Sequence, residues 1–124
     1  MSRIVKNFVA SGAIGHRRYV KFTNTDGAVA LATAPTDPIA GVTDYPDGAE
    51  DGERIDVVLF GSAEVVCGGT IAAGALVTAG AGGAAFAAAP AAGVNNATGG
   101  VLLQGAVAND IARVIVQRGS IQGA

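Results

Sequence analysis

The chain carries one histidine, His16, and one cysteine, Cys67, so a Cys/His nucleophilic pair is the first chemistry to weigh. Such catalysis needs a thiol activated by a base within hydrogen-bond reach. His16 stands beside Arg17 and Arg18, whose charges disfavour its protonated form. Cys67 ends the run Ala63-Glu64-Val65-Val66-Cys67, where a thiol behaves as a small core hydrophobe. A single cysteine also excludes an intrachain disulfide framework and a zinc site built on several thiols. Six of the ten acids (Asp44, Asp47, Glu50, Asp51, Glu53 and Asp56) are packed between positions 44 and 56. Oxygen donors at that density invite a hard cation, but the stretch lacks the alternating aspartates of an EF-hand loop. A Gly-rich exposed loop would not raise a carboxyl pKa for acid/base work either, so it reads as a solvated loop. Gly80-Ala81-Gly82-Gly83 lacks the Gly-Lys-Ser/Thr ending of a phosphate loop and reads as a flexible turn. Arg17, Arg18 and Tyr19 make a thin case for nucleic acid in a chain of net charge −2. These residues supply no catalytic, cofactor or metal site, and the chain is not expected to be an enzyme.

The elements that must carry these side chains are short strands punctuated by glycine. Tyr19-Val20-Lys21-Phe22 and Val29-Ala30-Leu31-Ala32 flank Thr25-Asp26-Gly27, the pattern of a hairpin. Arg54 to Phe60 is the clearest strand, with Ile55, Val57 and Leu59 on one face; Gly61 breaks it and Ala63 to Cys67 resumes it. Ala75 to Thr78 and Ala84 to Ala87 form a second hairpin around Gly80–Gly83. A helix over 84–92 competes there on alanine propensity, but Pro90 and the glycines leave it about two turns, and strand is favoured. Val101 to Gln104, a turn at Asn109-Asp110, and Ile111 to Val116 close the chain; apolar residues on both faces of the last strand predict that it is central or covered. Strands at such spacing predict an all-β domain, a small barrel or sandwich. A faint echo joins the halves. Ile39-Ala40-Gly41-Val42 followed by Ile55 to Leu59 resembles Gly100-Val101-Leu102-Leu103 followed by Ile111 to Val116, a weak signal of duplication.

At 124 residues the chain has the length of one domain, and with 50% hydrophobic residues it can bury a core. Alanine supplies 26 residues and glycine 19, while aromatics are 5%. That composition excludes a disordered tail. No charge occurs from Val65 to Asn109, yet glycine pairs and Pro90 interrupt every window, so no membrane-spanning helix is expected. The basic N-terminus is not followed by an unbroken apolar stretch, and no signal peptide is expected. Five of the eight basic residues lie in the first 21 positions, opposite in sign to the acidic loop, which makes the chain a small dipole able to steer association.

An ordered series of segments runs along nearly the whole chain. Val5-Lys6-Asn7-Phe8-Val9-Ala10 opens it, and Tyr19-Val20-Lys21-Phe22 follows. Then come Ala32-Thr33-Ala34, Thr36 to Thr43, Gly52 to Gly61, Gly68 to Thr78 and Gly105 to Val116. In order and spacing this series resembles the small capsid cement, or decoration, proteins of tailed bacteriophages. That family usually has Gly before the Asp of the final hairpin, where this chain has Asn109, a residue that also tolerates positive φ. The resemblance implies a structural role without catalytic residues or cofactors. Its partner would be the major capsid protein, bound on the outer surface of the mature head. It also implies a homo-oligomer, with a trimer favoured, on a virion assembled from protein made in the host bacterial cytoplasm. No membrane or nucleic-acid partner is expected. The domain division expected is an N-terminal arm at 1–12 and a single β-rich domain at 13–124. Contacts are expected from Arg3, Ile4, Val5, Lys6 and Phe8 of that arm, added to a sheet edge or laid on the shell, together with Arg17 and Arg18. Deleting residues 2–9 is then expected to weaken capsid binding and leave the fold intact; the alternative for the arm is a first strand within its own barrel, in which case the deletion unfolds the protein. The alternative function is a carbohydrate- or receptor-binding β-module, for which Tyr45 is the one plausible stacking platform.

Overall fold

A computed structural model describes residues 3–123. Nine strands account for the regular structure: β1 (Ile4–Ala10), β2 (Tyr19–Phe22), β3 (Ala28–Leu31), β4 (Ile39–Thr43), β5 (Arg54–Val66), β6 (Leu76–Ala79), β7 (Ala85–Ala87), β8 (Asn95–Leu102) and β9 (Ile111–Gln122). The protein is all-β, and among the described residues its only helical turn is a single 3₁₀ turn at Ala81–Gly83. Strand, not helix, forms at Ala85–Ala87, paired with β6 as the expected hairpin.

The strand order is β1-β3-β2-β4-β5-β9-β8-β6-β7, and β1 also pairs with β5. That extra pairing closes β1, β3, β2, β4 and β5 into a five-stranded barrel. The fold is therefore a barrel with further strands and not a sandwich. Pairing is antiparallel throughout these strands except between β1 and β3, where Ala10 lies beside Val29 in a parallel ladder. Over Ile4–Ala10 the segment expected as an arm is thus a wall of the barrel, with Val5 to Val9 paired along β5 from Val58 back to Arg54.

The remaining strands repeat this connectivity. The second half of β5 pairs with β9, β9 with β8, β8 with β6 and β6 with β7. A parallel bridge from Cys67 to Ala85 brings β7 back to the end of β5, as β3 returns to β1. Isolated bridges correspond too: Ile14 with Ala49 in the first barrel, Ile71 with Ala106 in the second, both residues displaced by 57 positions (14 to 71, 49 to 106). The Gly-Val echo has the same origin. A Cβ on Gly41 would collide with the carbonyl of Val58, and one on Gly100 with that of Ile115. The halves are two versions of one barrel, and β5 is the last strand of the first and the first strand of the second.

This double duty explains two departures from expectation. The strand at Arg54 is not short and does not break at Gly61. It runs 13 residues. Gly61 takes φ 104° at the point where the partner changes, from β1 at Phe60 to β9 at Gly61 itself. Such a backbone angle inside a strand suits glycine and bends the chain from one barrel into the next. β9 is central, as expected, but only one of its faces is covered. Ala112, Val114 and Val116 are buried, whereas Ile111 and Arg113 face outward.

Two apolar clusters fill the barrels. Val20, Val29, Ala40, Ile55 and Val57 pack inside the first. Val65, Val77, Leu102, Val114 and Val116 fill the second, and Tyr19, Ile39, Val42 and Val58 from the outer face of the first barrel join that same cluster. β4 is consequently buried at all five positions.

Candidate functional site

The residues capable of ionic or polar recognition converge where the two barrels meet. A cleft of about 280 Å³ is lined by Arg3, His16, Arg17, Asp44, Glu64 and Arg113, among others. Each arrives by a different route. Arg3 precedes β1 and donates to Asp44 at 2.7 Å and to the carbonyl of Ser62 at 3.4 Å. Asp44 directly follows β4. Glu64 and Arg113 sit directly opposite each other in the β5–β9 ladder, so their side chains share a face. Arg17 adopts φ 60°, one of two non-glycine residues in the left-handed region among those described, and donates to Glu64 at 3.2 Å. Its Nε is buried without a hydrogen-bond partner. The His16 Nδ1 accepts from the backbone N–H of Tyr45 at 3.0 Å, which assigns the proton of the neutral ring to Nε2.

Of the residues expected to make contacts, the structure brings Arg3 and Arg17 to this cleft and sends the others elsewhere. Arg18 reaches across to the second barrel and donates to the carbonyl of Gly82 at 3.3 Å. Ile4 lines an apolar groove of about 400 Å³ with Phe22, Leu59, Phe60, Gln117 and Arg118. Ile4 is 53% exposed and Phe60 46%, and the Arg118 guanidinium lies 5.3 Å from the centre of the Phe22 ring. Val5 and Lys6 are exposed along β1, and Phe8 is half-buried against the first core. Arg113 and Glu64 were not singled out in the sequence. Their partnership depends on a cross-strand register that joins residues 49 positions apart (64 to 113), and the only local signal is a charged residue interrupting an apolar run.

The other candidates resolve into structural roles. Cys67 is buried in the second core, and burial, with the Asp110 charge adding, pushes its thiol pKa upward. No hydrogen bond joins it to His16 among the described residues; its thiol donates to the carbonyl of Val65 at 3.9 Å. In the acidic loop, Asp51 accepts from the N–H of Gly12 at 2.8 Å and Glu53 from that of Glu50 at 2.7 Å. Asp56 accepts from Asn7 at 3.1 Å. These carboxylates fasten the loop to β1 and to itself. Asn109 takes φ 74°, as the turn chemistry of asparagine allows.

No protein-family model matches the sequence, and no curated protein does. Solved structures are similar over almost the whole chain. The N base of head fiber gp8.5 in bacteriophage phi29 superposes with a TM-score of 0.69 at 15% identity, covering 98% of this chain and 99% of that one. A chain from the capsid of Myoviridae phage XM1 superposes with a TM-score of 0.67 at 20% identity, covering 93% of this chain and 83% of its own. The chain shares its fold with a phage head fiber base and a phage capsid chain. At these identities the shared property is the architecture, both barrels included.

Proposed function

We propose that this chain is a structural protein of a tailed-phage head, seated on the outer surface of the mature shell, where it cements neighbouring subunits of the major capsid protein. The observation that carries this reading is the two-barrel fold, matched from end to end by chains from a phage head fiber and a phage capsid. The side chains are compatible with such a role. The groove at Ile4, Phe22 and Phe60 offers apolar surface that gains by being covered, at about 25 cal/mol per Å². The adjoining polar cleft supplies orientation. β1 keeps its backbone in the barrel and leaves Ile4, Val5 and Lys6 exposed, with Arg3 just before it, so contact through residues 3–6 requires no detached arm.

The mechanism is linkage. A protein that binds only the expanded shell stabilises that state by mass action, and many copies each touching two or three subunits add through multivalency. Assembly as a homotrimer would supply that valency in one unit. The load resisted is the pressure of packaged DNA, and no chemical step is involved.

Stoichiometry tests the proposal. Virions from the source are purified and this chain is quantified against the major shell protein by calibrated mass spectrometry. A ratio near one supports a lattice of cement over the head. A few copies per particle would favour a second reading, the base of a fiber or vertex structure, which the 99% coverage of the phi29 fiber base also suits. Absence from virions would overturn both.

A further inference from the structure

The geometry points to the cleft around Arg17 and Arg113 as a socket for one acidic side chain of a partner polypeptide. This deepens the head-surface reading and rests on it.

The duplicated fold carries the argument. Position 17 demands a left-handed backbone in the first barrel, and its counterpart 57 positions on, Gly74, adopts the same region with φ 84°. The second barrel meets the demand with the residue that suits it. The first places an arginine there, which an L side chain disfavours. Its ion pair with Glu64 does not account for that choice. The two side chains are 33% and 47% exposed at 3.2 Å, and such pairs contribute little. The Arg17 Nε is buried with no acceptor. Arg113, opposite Glu64 on the same face, makes no ion pair among the described residues. Three guanidinium groups thus face two carboxylates, leaving one positive charge and unspent donors, with the His16 ring beside them.

The ligand follows from that balance. One net charge suits a monoanion, and planar forked donors match a carboxylate. A cleft of about 280 Å³ admits a side chain and not a folded element. A phosphate dianion would confront Asp44 and Glu64 at close range. A nucleic-acid strand would in addition meet the acidic loop of a chain whose net charge is −2. An Asp or Glu side chain on a protein surface brings half the dianion's charge against Asp44 and Glu64, and the guanidinium left without an ion pair offsets it.

The test uses the full chain and heads assembled without it. Arg17→Gly installs the residue used by the second barrel, so it is expected to fold with an unchanged or higher Tm. Arg113→Ala lies on an exposed strand face. Each variant is expected to bind heads at least tenfold more weakly than wild type, with a shallower dependence on salt. If wild type binds and both folded variants bind equally well, the socket is wrong while the head-surface reading stands. If wild type does not bind heads, that reading falls and takes the socket with it. Duplex DNA bound by wild type and lost in the same two variants would overturn the carboxylate assignment in favour of a phosphodiester.

Discussion

Tyr19 carries its hydroxyl into the apolar cluster between the barrels, where the oxygen finds no hydrogen-bond partner among the described residues. Burial pushes its pKa well above the ordinary tyrosine range. A buried hydroxyl without a partner costs stability, so Tyr19→Phe is expected to raise the free energy of unfolding by about 1 kcal/mol, read as a higher urea midpoint at unchanged slope. Cys67 makes a pH-dependent contribution. Its folded pKa lies above the unfolded value, so its stabilisation is fully present below the ordinary thiol range and is lost as pH rises through the folded value. Stability should fall above about pH 8.5, at up to ~1.4 kcal/mol per pH unit, and Cys67→Ala should flatten that first decline in a series of thermal melts. Tyr19 acts in the same direction at higher pH. The thiol's core role was legible in the sequence because its neighbours Val65 and Val66 announce it. The cleft was legible only through Arg3 and Arg17. Arg113 and Glu64 join it through a cross-strand register that no local pattern encodes.

At the scale of elements, the two barrels make matched demands on their strands. Gly41 in β4 and Gly100 in β8 both lie against the carbonyl of the strand that follows, Val58 and Ile115 respectively. Alanine at either position should destabilise by about 1–3 kcal/mol, with similar effects in the two barrels, measured by chemical denaturation. Removing residues 2–9 deletes most of β1 and with it the pairings to β3 and to β5 that close the first barrel. The expected outcome is loss of the β-type circular-dichroism spectrum; a folded truncation would show that β1 is dispensable to the wall. The hairpins were readable because Asp26-Gly27 and the glycines at 80–83 punctuate strands of period two. The continuity of β5 was not readable, since a glycine within an apolar run looks the same whether it ends a strand or turns it toward a new partner.

Over the whole molecule, the second core draws Tyr19, Ile39, Val42 and Val58 from the first barrel, so apolar packing is continuous from one half to the other beside the polar cleft. Unfolding should therefore be one transition, with calorimetric and van't Hoff enthalpies equal. Two resolved heat-absorption peaks would mean that the barrels melt independently. The duplication itself was faintly visible in the repeated Gly-Val motif, but the shared strand was not, because the change of partner at Gly61 leaves no mark in the local sequence. The sharing also constrains how such a chain can have come about. Nine strands build two five-stranded barrels only because β5 belongs to both. Residues 54–60 of β5 close the first barrel against β1, and residues 61–66 open the second against β9, so a cut at Gly61 would leave each barrel its own half of the strand. A head-to-tail copy displaced by 57 residues sets those two halves end to end, so the join between the copies is itself a length of β-strand and not a linker.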